Sequence, residues 1–112
     1  MPEPVGRLPA ISHLQFLTLG VLLATEQPGR VVRDAVAAFG SPRTAPAFYQ
    51  MMARLERDGL VTGWYEQVVV GDQLVTERRY RITGAGTRAW NQTRTFYERV
   101  SVAAARGAWS RA

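Results

Sequence analysis

Two runs rich in valine, threonine and aromatic residues, LVTGWYEQVVV and LVTERRYRIT, meet at Gly71-Asp72. β-Branched and aromatic residues flanking such a pair predict an antiparallel hairpin. The segments before and after it have helical spacing, so helices must cover this one ribbon. Two registers are open. A loop of Gly71 and Asp72 alone sets Glu66 opposite Glu77, two like charges. A loop of Gly71, Asp72 and Gln73 sets Glu66 opposite Arg78 and Trp64 opposite Tyr80, and this is the register expected. Tyr80 and Ile82 then take the core side, with Arg79 and Arg81 on the other face.

Three short helical segments precede the hairpin. Residues 1–11 contain three prolines and predict a loose arm. Ser12 suits an N-cap for a helix from about His13 to Thr25, with Leu14, Leu17, Val21 and Ala24 in one stripe and Leu22 beside it. Gln27-Pro28-Gly29 breaks it. A second helix runs from Arg30 to Phe39, with Val32, Ala35, Val36 and Phe39 inward and Arg33 and Asp34 outward. Ser41-Pro42-Arg43 is a turn. A third helix runs from Thr44 or Ala45 to about Asp58. Phe48, Met52 and Leu55 form its core stripe, Met51 and Met52 fill the core, and Gln50, Arg54 and Arg57 lie on a polar face. After the hairpin, Thr83 caps a longer helix in which Trp90, Thr93, Tyr97, Val100 and Ala104 form an a/d-type stripe.

The expected fold is therefore mainly α with a two-stranded β-hairpin. It is a winged helix-turn-helix over residues 12–82, with an arm at 1–11, a C-terminal dimerisation helix at 83–107 and a tail at 108–112.

The 112 residues make one domain with a modest core, a size that often gains stability by dimerising. The net charge of +5 favours an anionic partner, and all fourteen basic residues are arginine, the planar fork suited to phosphate and guanine. With no cysteine, disulfides and zinc ribbons are excluded, and His13, the single histidine, cannot make a metal site alone. The apolar stretch Leu14–Ala24 is interrupted by Gln15 and Thr18 and is too short to span a bilayer. No secretory signal is visible, so a cytoplasmic protein without membrane contact is expected. Ser12, Ser41, Ser101 and Ser110 have one histidine to share. Glu56, Asp58 and Glu66 lie on surface segments, and Gly84-Ala85-Gly86 lacks the third glycine of a dinucleotide loop. Neither an enzyme nor a cofactor or metal is expected.

Three segments in order, FLTLGVLLATEQPG, FYQMMARLERDGLV and RRYRITGAG, resemble the PadR-like transcriptional regulators. The resemblance is carried by Tyr49, Met52, Leu55, Asp58 and Gly59, and by Tyr80, Ile82, Thr83, Ala85 and Gly86. It covers roughly residues 14–90. Three positions depart from the family pattern. Arg30-Val31-Val32 stands where the family has a His-Gly-Tyr-like opening, Pro46-Ala47 where it favours a small residue and Thr, and Val68, Val69, Val70, Leu74 and Val75 where its wing tip is often rich in Gly, Arg and Lys. The resemblance implies a regulator of the shorter branch, which dimerises through its single C-terminal helix. Trp90, Phe96 and Tyr97 read first as dimer packing, as aromatics at helical spacing usually are, with Trp90, Thr93, Tyr97, Val100 and Ala104 as the dimerisation stripe. The resemblance also implies, as in some members of that branch, a planar aromatic effector between the subunits, with Trp90 as the stacking surface and Phe96 nearby.

Arg43, Thr44, Ala47, Tyr49, Gln50 and Arg54 form the expected DNA-reading set, since the N-terminal part of a recognition helix points at base edges. Gln50 suits adenine, Arg43 or Arg54 suits guanine, and Thr44 with the first-turn amides suits a phosphate. Arg78 and Arg79 on the second wing strand either reach the DNA backbone or pair with Glu66 and stack on Tyr65 or Trp64. The expected partners are double-stranded DNA, a second copy of the chain and a small aromatic effector, and the expected role is a repressor on a palindromic operator. The other reading is a protein-interaction module that docks through its apolar wing and aromatic last helix. Joint exposure of Arg43, Gln50 and Arg54 distinguishes the two.

Overall fold

Ser12 opens helix α1 (His13–Leu22) with a reciprocal cap: its Oγ accepts from the Gln15 N–H at 3.1 Å, and Gln15 Oε1 accepts from the Ser12 N–H at 2.9 Å. The computed structural model of the chain describes residues 9–107 and 109, so most of the expected arm and tail lies outside the described residues. Ile11, assigned above to the arm, is buried in the core. α1 buries Thr18, Leu19 and Leu22, with Leu14, Leu17 and Val21 half-buried and Ala24 exposed past the helix end. The buried face is rotated from the expected stripe. The helix is apolar nearly all round, so spacing alone cannot choose its inner side. Thr18 is tolerated there because its hydroxyl donates to the Leu14 carbonyl at 2.7 Å.

The breaker after α1 also builds structure. Gln27 and Pro28 form a two-residue strand, β1 (Gln27–Pro28), which leads into α2 (Gly29–Ala38). Val32 and Val36 of α2 are buried, but Phe39 is 76% exposed, contrary to expectation. Phe39 is the C-cap of α2, where the chain leaves the helix, so it does not continue the inner face. Arg33, expected to point outward, is half-buried, and its Nε donates to the Arg43 carbonyl at 2.9 Å across the turn before α3 (Ala45–Arg57).

The hairpin consists of β2 (Val61–Val70) and β3 (Gln73–Ile82), and β1 pairs antiparallel with the outer side of β3, Gln27 opposite Tyr80 and Pro28 opposite Arg79. The sheet thus has three strands, ordered β1-β3-β2, where two were expected. A two-residue strand ending in proline has no periodicity to read.

The register also corrects the expectation. Val70 pairs with Gln73, so Gly71-Asp72 alone is the loop, Glu66 faces Glu77 and Trp64 faces Arg79. The like charges are tolerated because Arg79 lies among them. Its Nε is 3.1 Å from Glu66, its Nη1 2.7 Å from Glu77 and its Nη2 3.6 Å from Glu26. Arg30 adds a second cation 3.7 Å from Glu77. Gly71 has a φ of 63° and Asp72 a negative one, the type II′ pattern that suits a two-residue loop.

The last helix, α4 (Gly84–Ala105), starts from a tight joint with the end of α3. Thr83 Oγ1 accepts from the Gly86 N–H at 3.0 Å and donates to the Gly59 carbonyl at 2.7 Å, while the Thr83 N–H donates to the Leu60 carbonyl at 3.1 Å. A methyl group at Gly86 would collide with the Leu60 carbonyl oxygen and approach Ile82 Cγ1 to 2.7 Å. Leu19, Leu22, Val32, Val36, Phe48, Met52, Leu55, Val61 and Tyr80 form the core, which lies where the three short helices meet the base of the hairpin.

Arg79→Ala removes the cation from between Glu66 and Glu77. Side-chain exposures of 18% for Arg79 and 12% for Glu77 make this a largely desolvated pair. The expected loss is roughly 2–3 kcal/mol, below the value for a fully buried pair because Glu66 reaches water. Urea unfolding measures it. A variant as stable as the parent would show that the like-charge register does not depend on Arg79.

Candidate nucleic-acid interface

Thr44 caps α3 by accepting from the Ala47 N–H at 3.3 Å. This use of the amide narrows the expected phosphate site. Pro46 has no N–H and Ala47 has spent its own, which leaves the Thr44 and Ala45 N–H groups and the Thr44 hydroxyl hydrogen. Arg43 is exposed just before the helix on a backbone that Arg33 holds. Gln50 and Arg54 are exposed one turn apart, with exposed Ala53 between them and Arg57 a further turn along. Among the described residues, the side chains of Arg43, Gln50, Arg54 and Arg57 make no ion pair or hydrogen bond. Behind them Phe48, Met51, Met52 and Leu55 are buried, so the polar row has a rigid support. Arg57 belongs to this row, although only its membership of the polar face, and no role, was read from the sequence.

Ala47 is half-buried and Tyr49 is 38% exposed. Tyr49 also braces α3: its ring meets Phe48 edge-on at 5.1 Å, and its hydroxyl end lies with Tyr80 over Gly29 at the start of α2. Burial pushes the Tyr80 phenol above its ordinary pKa of 10.0, and the neighbouring Arg78 guanidinium pulls it only part of the way back.

Arg78 and Arg79, the wing arginines of the expected DNA set, are both engaged by carboxylates of their own chain. Arg78 Nη2 is 2.6 Å from Glu56 Oε1, and its guanidinium lies 4.6 Å from the Tyr65 ring centre. This pair ties the end of α3 to the wing. Arg79 sits in the carboxylate group described above. Arg81 lies over Trp64 at 5.7 Å. Glu26 and Glu56 were not singled out as partners beforehand, because each meets its arginine across separate elements, whereas Glu77 lies two residues from Arg79 on the same face of β3, a local pair that the strand period offered and that went unused.

On α4, Trp90 stacks on Phe16 of α1 at 5.3 Å and 10°. Thr93 is buried and donates to the Ala89 carbonyl at 2.8 Å. Tyr97 stacks on His13 at 5.7 Å, with its hydroxyl 3.1 Å from His13 Nδ1. Two of the five stripe residues, Trp90 and Tyr97, thus pack on α1 of the same chain, and Thr93 between them is buried. Val100 and Ala104 are exposed, and Phe96 is half-buried, edge-on to Tyr97 at 5.4 Å. An open groove of about 540 Å³ runs beside them, lined by Phe16, Arg94, Tyr97, Glu98, Ser101 and Val102. Among the described residues no helix is long and apolar enough to cross a membrane, and no cluster of three or more His, Asp or Glu could hold a metal.

Helix, helix, capped helix, ribbon and long helix define a winged helix-turn-helix with a C-terminal helical extension. No protein-family model and no curated protein matches the chain, but solved structures do. A PadR-family transcriptional regulator from Eggerthella lenta superposes with a TM-score of 0.63 at 23% identity, covering 88% of this chain and 83% of that one. A transcriptional regulator from Clostridium thermocellum gives 0.64 at 18% identity, covering 87% and 97%. The PadR protein of Bacillus subtilis, solved in complex with operator DNA, gives 0.58 at 17% identity over 72% of this chain and 45% of that one. At such identities the shared property is the fold. This chain has the PadR-type winged-helix fold.

Because the folded Tyr80 phenol titrates above its unfolded value, the native state keeps a proton that the unfolded state has lost at high pH. Its contribution is complete below about pH 10 and is lost as the pH rises toward the folded value. Thermal unfolding across that range should show falling stability. Tyr80→Phe, provided it folds, should flatten the fall. An equally steep fall in the variant would assign it to other groups.

Proposed function

We propose that the chain is a DNA-binding transcriptional regulator of the PadR-like family that represses by occupying a palindromic operator as a homodimer. The observation that carries this reading is the joint exposure of Arg43, Gln50 and Arg54, without partners in their own chain, on the helix that this fold places in the major groove. Gln50 offers adenine a donor and an acceptor together. Arg43 and Arg54 offer guanine the guanidinium fork, and the Ala47 methyl suits the thymine methyl. Thr44 and the Ala45 N–H suit a phosphate at the positive end of the helix, with Tyr49 at the edge of the same surface. The operator complex of the Bacillus subtilis neighbour supports the same use of the fold. Arg78 and Arg79 act here by positioning the wing and adding to the positive field, since carboxylates already hold them.

Two recognition helices must meet grooves about 34 Å apart, so a single copy reads too short a site. Trp90 and Tyr97 brace α4 on α1 around the buried Thr93, and Val100 and Ala104 on its exposed end supply the seam to a second copy. A planar aromatic effector beside Trp90 and Phe96 must open or extend the Phe16 stack. Moving α4 in that way changes the spacing of the recognition helices and releases the operator.

Binding to the chain's own promoter region across a salt series tests the reading. Arg54→Ala should weaken it by roughly 1–3 kcal/mol and relax preference at one position if the contact is to a base. A uniform loss on all sequences with a salt slope lower by about one would assign Arg54 to a phosphate. Unchanged binding to operator and random DNA would remove Arg54 from the interface. Light scattering at micromolar concentration should give the mass of a dimer, and a monomer mass would defeat the two-helix mechanism.

A further inference from the structure

The wing sorts its polar side chains by face. Strand alternation puts Tyr65, Gln67, Thr76 and Arg78 on the side of the sheet that carries Tyr80 and meets α3, and Trp64, Glu66, Glu77 and Arg79 on the other. Both carboxylates of β2 and β3 therefore lie on the side away from α3. On the α3 side, Gln67 and Thr76 are exposed and uncharged, and the one arginine, Arg78, is matched by Glu56 at 2.6 Å. Tyr65 is 71% exposed, and its hydroxyl makes no hydrogen bond among the described residues. Its ring is nonetheless held, because the Arg78 guanidinium lies 4.6 Å from the ring centre and Glu56 fixes that guanidinium. A methyl group at Gly63 would collide with Glu56 Oε1 and come within 2.8 Å of Arg78 Nη2, so Gly63 keeps this relay open. Tyr49, Ala53 and Glu56 follow one another along one flank of α3, and each directly precedes a member of the row Gln50, Arg54 and Arg57. The wing face that carries Tyr65 thus adjoins that row.

We propose that Tyr65 is a contact of the wing to the DNA backbone, positioned by the Glu56–Arg78 relay, with Gln67 and Thr76 beside it as further neutral donors. The inference rests on the DNA-binding reading and adds a second surface to it. The phenol donates to a phosphate oxygen, as the amide of Gln67 and the hydroxyl of Thr76 can. Glu66 or Glu77 on this face would repel the phosphate, and the sorting of the strands keeps both off it. Such contacts fix the orientation of the recognition helix and carry no sequence information.

The test is fluorescence anisotropy with two labelled duplexes, one from the chain's own promoter region and one of random sequence. Tyr65→Phe keeps the ring and its stack and removes the hydroxyl alone, so it should weaken binding about three- to tenfold on both duplexes. The salt slope should not change, because a neutral donor releases no counterion. Gln67→Glu and Val75→Glu each add one negative charge, the first on the α3 side of the wing and the second on the far side. Circular dichroism checks that both fold. Gln67→Glu should lose about tenfold or more and Val75→Glu about twofold, since only the first faces the phosphate. Tyr65→Phe binding as tightly as the parent would overturn this inference alone, and so would equal losses from the two glutamate variants. A loss confined to the promoter duplex would make Tyr65 a base contact and overturn the backbone role. A parent chain that binds neither duplex would overturn the DNA-binding reading and this inference with it.

Discussion

Tyr80 is the side chain on which the helices and the ribbon close together. It is 2% exposed, paired with Gln27 on one side and Gly63 on the other, and it lies with Tyr49 over Gly29. A large aromatic at this position fixes the distance between the start of α2, the flank of α3 and the middle of β3 at once. The Phe48, Met52 and Leu55 row holds α3 down, but a row of apolar contacts alone leaves some freedom to roll. Tyr49 and Tyr80 seated together over Gly29 at one flank and the Glu56–Arg78 pair at the C-terminal end remove that freedom. The direction in which Gln50 and Arg54 project is a consequence of this fixing.

What could be read beforehand was whatever depends on near neighbours. The three- and four-residue spacing of Phe48, Met52 and Leu55 set the inner face of α3, and so placed Gln50 and Arg54 outside. Thr83 and Ser12 were legible as caps because a cap acts over three residues. The inner face of α1 was not, since Leu14, Leu17, Leu19, Val21 and Leu22 offer several apolar sides and the rest of the core chooses among them. The register was misjudged because a rule for directly opposed pairs counts Glu66 against Glu77 and omits Arg79, which reaches both. The roles of Arg78 and Glu56 were hidden for a similar reason, since they meet across 22 residues of sequence.

The arginines divide by what surrounds them. Arg78 and Arg79, with Arg30 at the margin, offset carboxylates that would otherwise face one another or stand half-buried alone. Arg43, Arg54 and Arg57 have no such carboxylate and keep their forks for water or a ligand. Net charge therefore overstates the number of cations an anionic partner can meet directly. Under the proposed function the overall field would still draw such a partner in, while the short-range contacts would fall to the smaller group on and before α3.

The joint at Thr83 and Gly86 makes α4 a lever arm. At 1.5 Å per residue the helix is about 33 Å long, so a tilt of about 5° at its root moves its far end by about 3 Å. The root allows little tilt, because Gly86 lies against the Leu60 backbone and Thr83 is bonded to both Gly59 and Leu60. In a pair of copies joined by their far ends, this small hinge sets the angle between the two bodies. In such a pair, substitutions at Leu60, Ile82 or Thr83, all at the root of the helix and not at its far end, would re-aim the whole assembly by amplification along the arm.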